Sequence, residues 1–87
     1  MSEPHRVLTL LGRGGCHLCE DMRVALKPWV ARYGLAVEEI DITGNSELET
    51  RYGWDIPVLL AGKTEICRHF LNLKALQSWL SEQAGFL

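Results

Sequence analysis

Two cysteines, Cys16 and Cys19, stand three residues apart in 12-GRGGCHLCEDM-22. A pair at this spacing can exchange electrons as a dithiol–disulfide couple, hold a metal, or pack as two small apolar side chains. The downstream residues bear on the choice. From Leu18 onward, apolar residues fall at Leu18, Met22, Ala25, Leu26, Trp29, Val30 and Tyr33, which is one face of a helix. Cys16 then lies at the helix N-terminus, with Cys19 one turn further in on the same face. A helix N-terminus offers unpaired N–H groups and about half a positive charge. Both favour a thiolate, the nucleophile of disulfide exchange. On this reading Cys16, at the outer end, attacks, and the deeper Cys19 resolves the mixed disulfide.

Other residues could join this chemistry. Pro57, in 56-IPVLL-60, is expected either on an edge strand or in a cis bond at a defined turn. A cis bond would turn the Ile56 backbone outward, where an extended peptide or glutathione could pair with it. The imidazolium of His17 would add to thiolate stabilisation, unless the side chain simply faces solvent. Cys67 is expected roughly opposite Pro57, as a buried small hydrophobe or as a third redox thiol. Cys16, Cys19 and Cys67 with His17 or His69 would make a four-ligand N/S set, but the second closely spaced pair of a structural zinc site is missing, so no metal is expected. His5 and His69 read as ordinary surface or partly buried residues. Asp41 is expected to bond the turn at Thr43-Gly44, with a proton-handling role near Cys19 as the alternative. Trp54 is expected in the core, with the cleft border as its second reading.

The elements that must position these residues alternate. The run 7-VLTLL-11 suits a strand buried on both faces. The helix comes next; Pro28 should kink or interrupt it, and Gly34 should cap it. A second strand is expected in 35-LAVEEIDI-42, with a register break near Glu38–Glu39. Ser46 and Glu49 fit a capping box for a short helix from Glu47 to about Tyr52. The segments 55-DIPVLL-60 and 64-TEICR-68 read as a hairpin turning at 61-AGK-63. Asn72 should cap a last helix burying Leu73, Leu76, Trp79 and Leu80. The order is βαβ-α-ββα: an α/β fold with a four-stranded mixed sheet and three flanking helices, its first unit a parallel crossover.

The bulk numbers bound the function. A chain of 87 residues is one domain, residues 1–87. A net charge of −2 without blocks of like charge argues against nucleic acid as a partner. The apolar run at the N-terminus is too short for a signal peptide core or a membrane span. A cytoplasmic protein is expected, and in that reducing compartment a structural disulfide framework is not. Three cysteines leave at least one thiol unpaired within the chain.

The residues 13-RGGCHLC-19 after a strand, 56-IPVLL-60, and 61-AGK-63 before a last strand and helix resemble the glutaredoxin-like branch of the thioredoxin superfamily. With 39-EIDI-42 and Arg51-Tyr52-Gly53, the likeness is to a group of small bacterial glutaredoxin-like proteins and spans nearly the whole chain. It implies a thioredoxin-like fold and thiol–disulfide oxidoreductase activity, with Cys16 as nucleophile and Cys19 as resolving thiol. Arg13 would match a basic residue placed near a glutathione carboxylate, and Ile56 and Pro57 would match the residue and cis-proline bracketing the peptide site. No prosthetic group is implied; glutathione enters as a co-substrate. The partner would be a disulfide-containing protein or glutathione, and the chain a monomer. Two departures stand out: His17-Leu18 occupies the place of Pro-Tyr, and 66-ICRHFLNL-73 lacks the Gly-Gly and Asp that help hold glutathione. The alternative is a peptide-binding or adaptor module of the same fold without redox turnover.

Overall fold

The computed structural model describes residues 7–84. Its elements are β1 (Val7–Gly12), α1 (His17–Tyr33), β2 (Ala36–Asp41), α2 (Ser46–Tyr52), β3 (Val58–Ala61), β4 (Thr64–Arg68) and α3 (Leu73–Ala84). The four strands form one sheet in the order β2-β1-β3-β4. β1 pairs in parallel with β2 and antiparallel with β3, and β4 is antiparallel to β3. This is the mixed α/β architecture that the order of elements predicts. His5 lies outside the described residues.

Two clusters fill the two faces of the sheet. Leu8, Leu10 and Leu59 pack with Met22 and Leu26 of α1 and with Leu76 and Leu80 of α3. On the other face Leu11, Ile42 and Val58 receive Leu48 and Tyr52 from α2. Neighbouring β1 residues thus serve opposite faces, which is why the strand reads as a nearly continuous apolar run broken only by Thr9. Each fully buried leucine contributes about 1.5–3 kcal/mol relative to exposure.

Several local expectations are corrected. α1 runs through Pro28 without interruption. That residue is exposed, while Met22 and Leu26 before it and Trp29 and Val30 after it pack against one cluster, so burial outweighs one lost N–H bond. Leu18 and Ala25 are exposed, and Cys19 joins Met22 and Leu26 on the buried face instead. β2 shows no register break: it pairs one-to-one with β1 from Val7–Ala36 to Gly12–Asp41. Val37 and Ile40 pack on opposite faces, and a sheet covered on both sides does not require alternation. The cap of α2 is Asn45, whose side chain accepts the Leu48 N–H; the Glu49 carboxylate reaches back to the Gly44 N–H. Asn72 caps α3 through the Ala75 N–H, but Leu73 stays exposed.

The third strand begins only at Val58. The Asp55 N–H donates to the Tyr52 carbonyl, and Pro57 has no N–H for a ladder. A two-residue turn joins Ala61 to Thr64, with Gly62 at φ +61, and a register shift lies between Leu59 and Leu60. The two-residue turn and that shift each move the pairing by one position, so Cys67 lies opposite Leu59, not Pro57; the Pro57 carbonyl instead accepts the His69 N–H.

Candidate functional site

The site gathers where β1 ends. Arg13-Gly14-Gly15 turns the chain, Gly15 at φ +79, and the Cys16 N–H bonds the Arg13 carbonyl at 3.3 Å. Cys16 is the N-cap of α1: its Sγ accepts the Cys19 N–H at 3.2 Å, and its carbonyl accepts the Glu20 N–H. A sulfur in this position faces the positive end of a helix of 17 residues. Cys16 is half-buried and Cys19 is 4% exposed. The two form a disulfide, with Cα atoms 5.3 Å apart.

Gly12 makes room for this pair, a role the sequence reading missed. A Cβ on Gly12 would stand 3.0 Å from Cys19 Sγ and 3.3 Å from its Cβ. β1 is thus the wall against which the inner sulfur lies. A glycine ending an apolar strand just before a cysteine pair was the available signal.

The loop is tied to its surroundings by two carboxylates. Asp41 accepts the Thr43 N–H at 2.8 Å and the Gly14 N–H at 3.3 Å. Hydrogen bonds from the Thr43 side chain and backbone, helped by the Gly14 N–H and Arg13, hold its carboxyl below the ordinary range. An acid kept ionised in this way bonds the turn, the first of its two readings. Arg13 pairs with Glu49 at 3.4 Å. Its cation is therefore shared with α2 through one N–H, which leaves the rest of the guanidinium fork facing the cleft. His17 is exposed at the first helical position, beside Cys16 on the rim of a cleft that Arg13, Gly14 and Arg23 complete.

Across the site the Ile56–Pro57 peptide bond is cis. Ile56 is half-buried and Pro57 buried. Leu11 faces Val58 in the β1–β3 ladder, so one further step in register brings Gly12 beside Pro57. Arg68, at the end of β4, reaches Asp55 at 2.8 Å and Glu65 at 2.6 Å. It thereby fastens the segment before Pro57 to the sheet. Sequence reasoning passed over Arg68 and Asp55, since an ion pair between loop and strand leaves no periodic trace. Trp54 is 94% exposed, overturning its core assignment; it shares a cleft with Arg13, Glu49 and Gly53.

Cys67 stands apart, in the core cluster with Leu59, Leu76 and Leu80. Burial pushes its thiol up. In the reduced protein at pH 8, iodoacetamide should label Cys16 at least about tenfold faster than Cys67, since the thiolate is the reacting form; peptide mass spectrometry over time checks this, and equal rates would make Cys67 an accessible thiol. Among the described residues no three His, Cys, Asp or Glu side chains are grouped to hold a metal, and no helix is long and apolar enough to cross a membrane.

The acids carry a pH dependence. Asp41 and Glu65 both titrate below the ordinary carboxylate range, Asp41 through Thr43 and Glu65 through its hydrogen bonds with Arg68. Groups depressed in the folded state add stability that is fully present above their unfolded values and is lost as pH falls through their folded ones. The urea midpoint of the oxidised protein should therefore fall between about pH 5 and pH 2, and Asp41→Asn with Glu65→Gln should flatten that fall. A double variant with an undiminished slope would assign it elsewhere.

A mixed sheet in the order β2-β1-β3-β4, flanked by three helices and with a C-x-x-C disulfide capping the first of them, defines a thioredoxin-like domain. The chain belongs to the glutaredoxin-like family: the family model described as Glutaredoxin-like domain (DUF836) matches residues 7–81. It is similar to a solution structure of a protein from Nitrosomonas europaea, with 34% identity and a TM-score of 0.79, covering 91% of this chain and 94% of that one. An X-ray structure of a protein from X. campestris has 33% identity and a TM-score of 0.69, covering 86% and 96%. Thioredoxin 1 from Thermosipho africanus, at 16% identity and a TM-score of 0.60 over 88% and 97%, shares the fold.

Proposed function

We propose that this protein is a thiol–disulfide oxidoreductase that cycles its Cys16–Cys19 pair. The observation that carries the reading is the sulfur of Cys16 at the helix N-cap, accepting an N–H, with Cys19 buried directly behind it. In the reduced protein the Cys16 thiolate attacks one sulfur of a substrate disulfide; the new S–S bond forms as the substrate S–S bond breaks and one thiolate leaves. The Cys19 thiolate then attacks the Cys16 sulfur, closing the protein disulfide and releasing the second substrate thiolate. Two electrons pass to the substrate, and the two thiol protons of the protein end on the two product thiols. A dithiol or two monothiols, with glutathione or a reductase as the source, return the protein to its starting state by the reverse exchange. The segment at Ile56-Pro57 would align an extended partner beside Cys16. In this reading the protein works as a monomer in the reducing cytoplasm, on disulfide-containing proteins or glutathione, and without nucleic-acid or membrane partners.

The test is equilibration in glutathione buffers of graded potential, with alkylation of free thiols and mass spectrometry. A reversible Cys16–Cys19 disulfide titrating within roughly −180 to −320 mV is expected. Cysteines that remain reduced across that range, with no glutathione adduct, would sink the redox reading and leave a peptide-binding module of the same fold.

A further inference from the structure

Three arginines border the site, and each is already matched. Arg13 pairs with Glu49. Arg23, on the cleft wall beside both cysteines, pairs with Glu20 at 3.0 Å and Glu39 at 2.9 Å. Arg68 pairs with Glu65 and Asp55. With Asp41, three cations face six carboxylates, so the rim carries an excess of negative charge. Anionic ligands gain little from Arg23 and Arg68, each held by two carboxylates, and at Arg13 they compete with Glu49 and meet repulsion from the surplus acids.

Exposed aromatic side chains flank the cis-proline segment of the site. Trp54 is 94% and Phe70 66% exposed. Their positions bracket Ile56-Pro57: Trp54 precedes that segment by two residues, and Phe70 comes after His69, whose N–H is bonded to the Pro57 carbonyl at 2.7 Å. The Arg68–Asp55 ion pair ties the two arms together. Leu18, on the helix that Cys16 caps, adds a further exposed apolar side chain. Large aromatics left in water around a functional group mark a surface that binds another molecule, because such side chains supply most of the energy at interfaces.

We infer that the substrate is a cysteine in an extended polypeptide segment whose neighbouring side chains are apolar and basic, with Trp54 and Phe70 as the specificity-determining contacts, and that the anionic tripeptide glutathione is a poor one. The inference rests on the redox reading and names its substrate class. The apolar neighbours would cover the two aromatics, and the basic ones would answer the surplus carboxylates.

The experiment uses the reduced full chain in single turnover, quenched by alkylation and read by mass spectrometry. Four disulfides are compared: hydroxyethyl disulfide, glutathione disulfide, and the homodimeric disulfides of two hexapeptides, one with leucine and lysine flanking its cysteine and one with glutamates there. The leucine–lysine peptide should react at least about tenfold faster than glutathione disulfide or the glutamate peptide, with the gap over the glutamate peptide shrinking in 1 M salt. In Trp54→Ala and Phe70→Ala, the rate for that peptide relative to hydroxyethyl disulfide should fall about three- to tenfold each. Val24→Ala, an exposed apolar site elsewhere on α1, should leave this ratio unchanged. Failure to reduce even hydroxyethyl disulfide overturns the redox reading itself. Reduction of hydroxyethyl disulfide with glutathione disulfide reacting as fast as the leucine–lysine peptide, or with an unchanged ratio in both aromatic variants, overturns the substrate assignment alone.

Discussion

Cys16→Ser should abolish disulfide exchange, a loss on the order of a thousandfold or more, while Cys19→Ser should stop the cycle halfway. The two sulfurs differ in setting. Cys16 is accessible and caps a helix, so its thiolate is stabilised by the Cys19 N–H and the helix end. Cys19 is buried against β1 and reaches substrate only through Cys16. Serine at 19 keeps that backbone N–H, so attack by Cys16 survives and the mixed disulfide persists as a covalent adduct of substrate mass. Serine at 16 removes the only sulfur of the pair that faces solvent. Intact mass spectrometry of each variant after exposure to a peptide disulfide distinguishes the steps. An adduct on Cys19 in Cys16→Ser, formed at the wild-type rate, would reverse the assignment.

Gly12→Ala should cost about 1–3 kcal/mol of stability and displace the inner sulfur, because the added methyl meets Cys19 with no slack. The neighbour on one side is a strand held by two partners and on the other a helix packed through Met22 and Leu26, so neither gives way cheaply. Gly14→Ala is the matched comparison within the same loop. There the new Cβ stands 3.8 Å from Asp41 Oδ2, an ordinary contact. Urea denaturation should separate the two variants, and the glutathione titration should show a shifted midpoint for Gly12→Ala alone. Equal stabilities and midpoints would mean that β1 does not seat the disulfide.

The geometry of the cysteine pair was legible because it lies in local order along the chain. Cys16 and Cys19 come after a strand and open a helix, and that alone places both sulfurs at a helix end. The layering was readable from the alternation of elements, from the nearly continuous apolar run at Val7–Leu11 and from the helical spacing of Leu76, Trp79 and Leu80. What escaped depends on pairings between distant segments. The position of Cys67 turned on the length of the hairpin turn and on a register shift beyond it, each of which moves the partner by one residue. The pairing of Arg13 with Glu49 spans 36 positions, and nothing in either residue announces it. Trp54 is expected inside because tryptophan is highly buried on average, and an average does not fix a single position in a loop.

The two faces of the sheet are unequally filled. Among the described residues, nine buried ones form the cluster between the sheet and α1 and α3, helix residues included, whereas three form the cluster under α2, which buries none of its own. In hydrogen exchange α2 should then be the least protected helix, opening at a fraction of the global free energy while β1 and α1 stay closed. Each such opening would release Glu49 from Arg13 and momentarily free a guanidinium beside the disulfide. The thin layer would therefore make the strength of the cation at the mouth of the site vary in time, greatest for the fraction in which a seven-residue helix is undone.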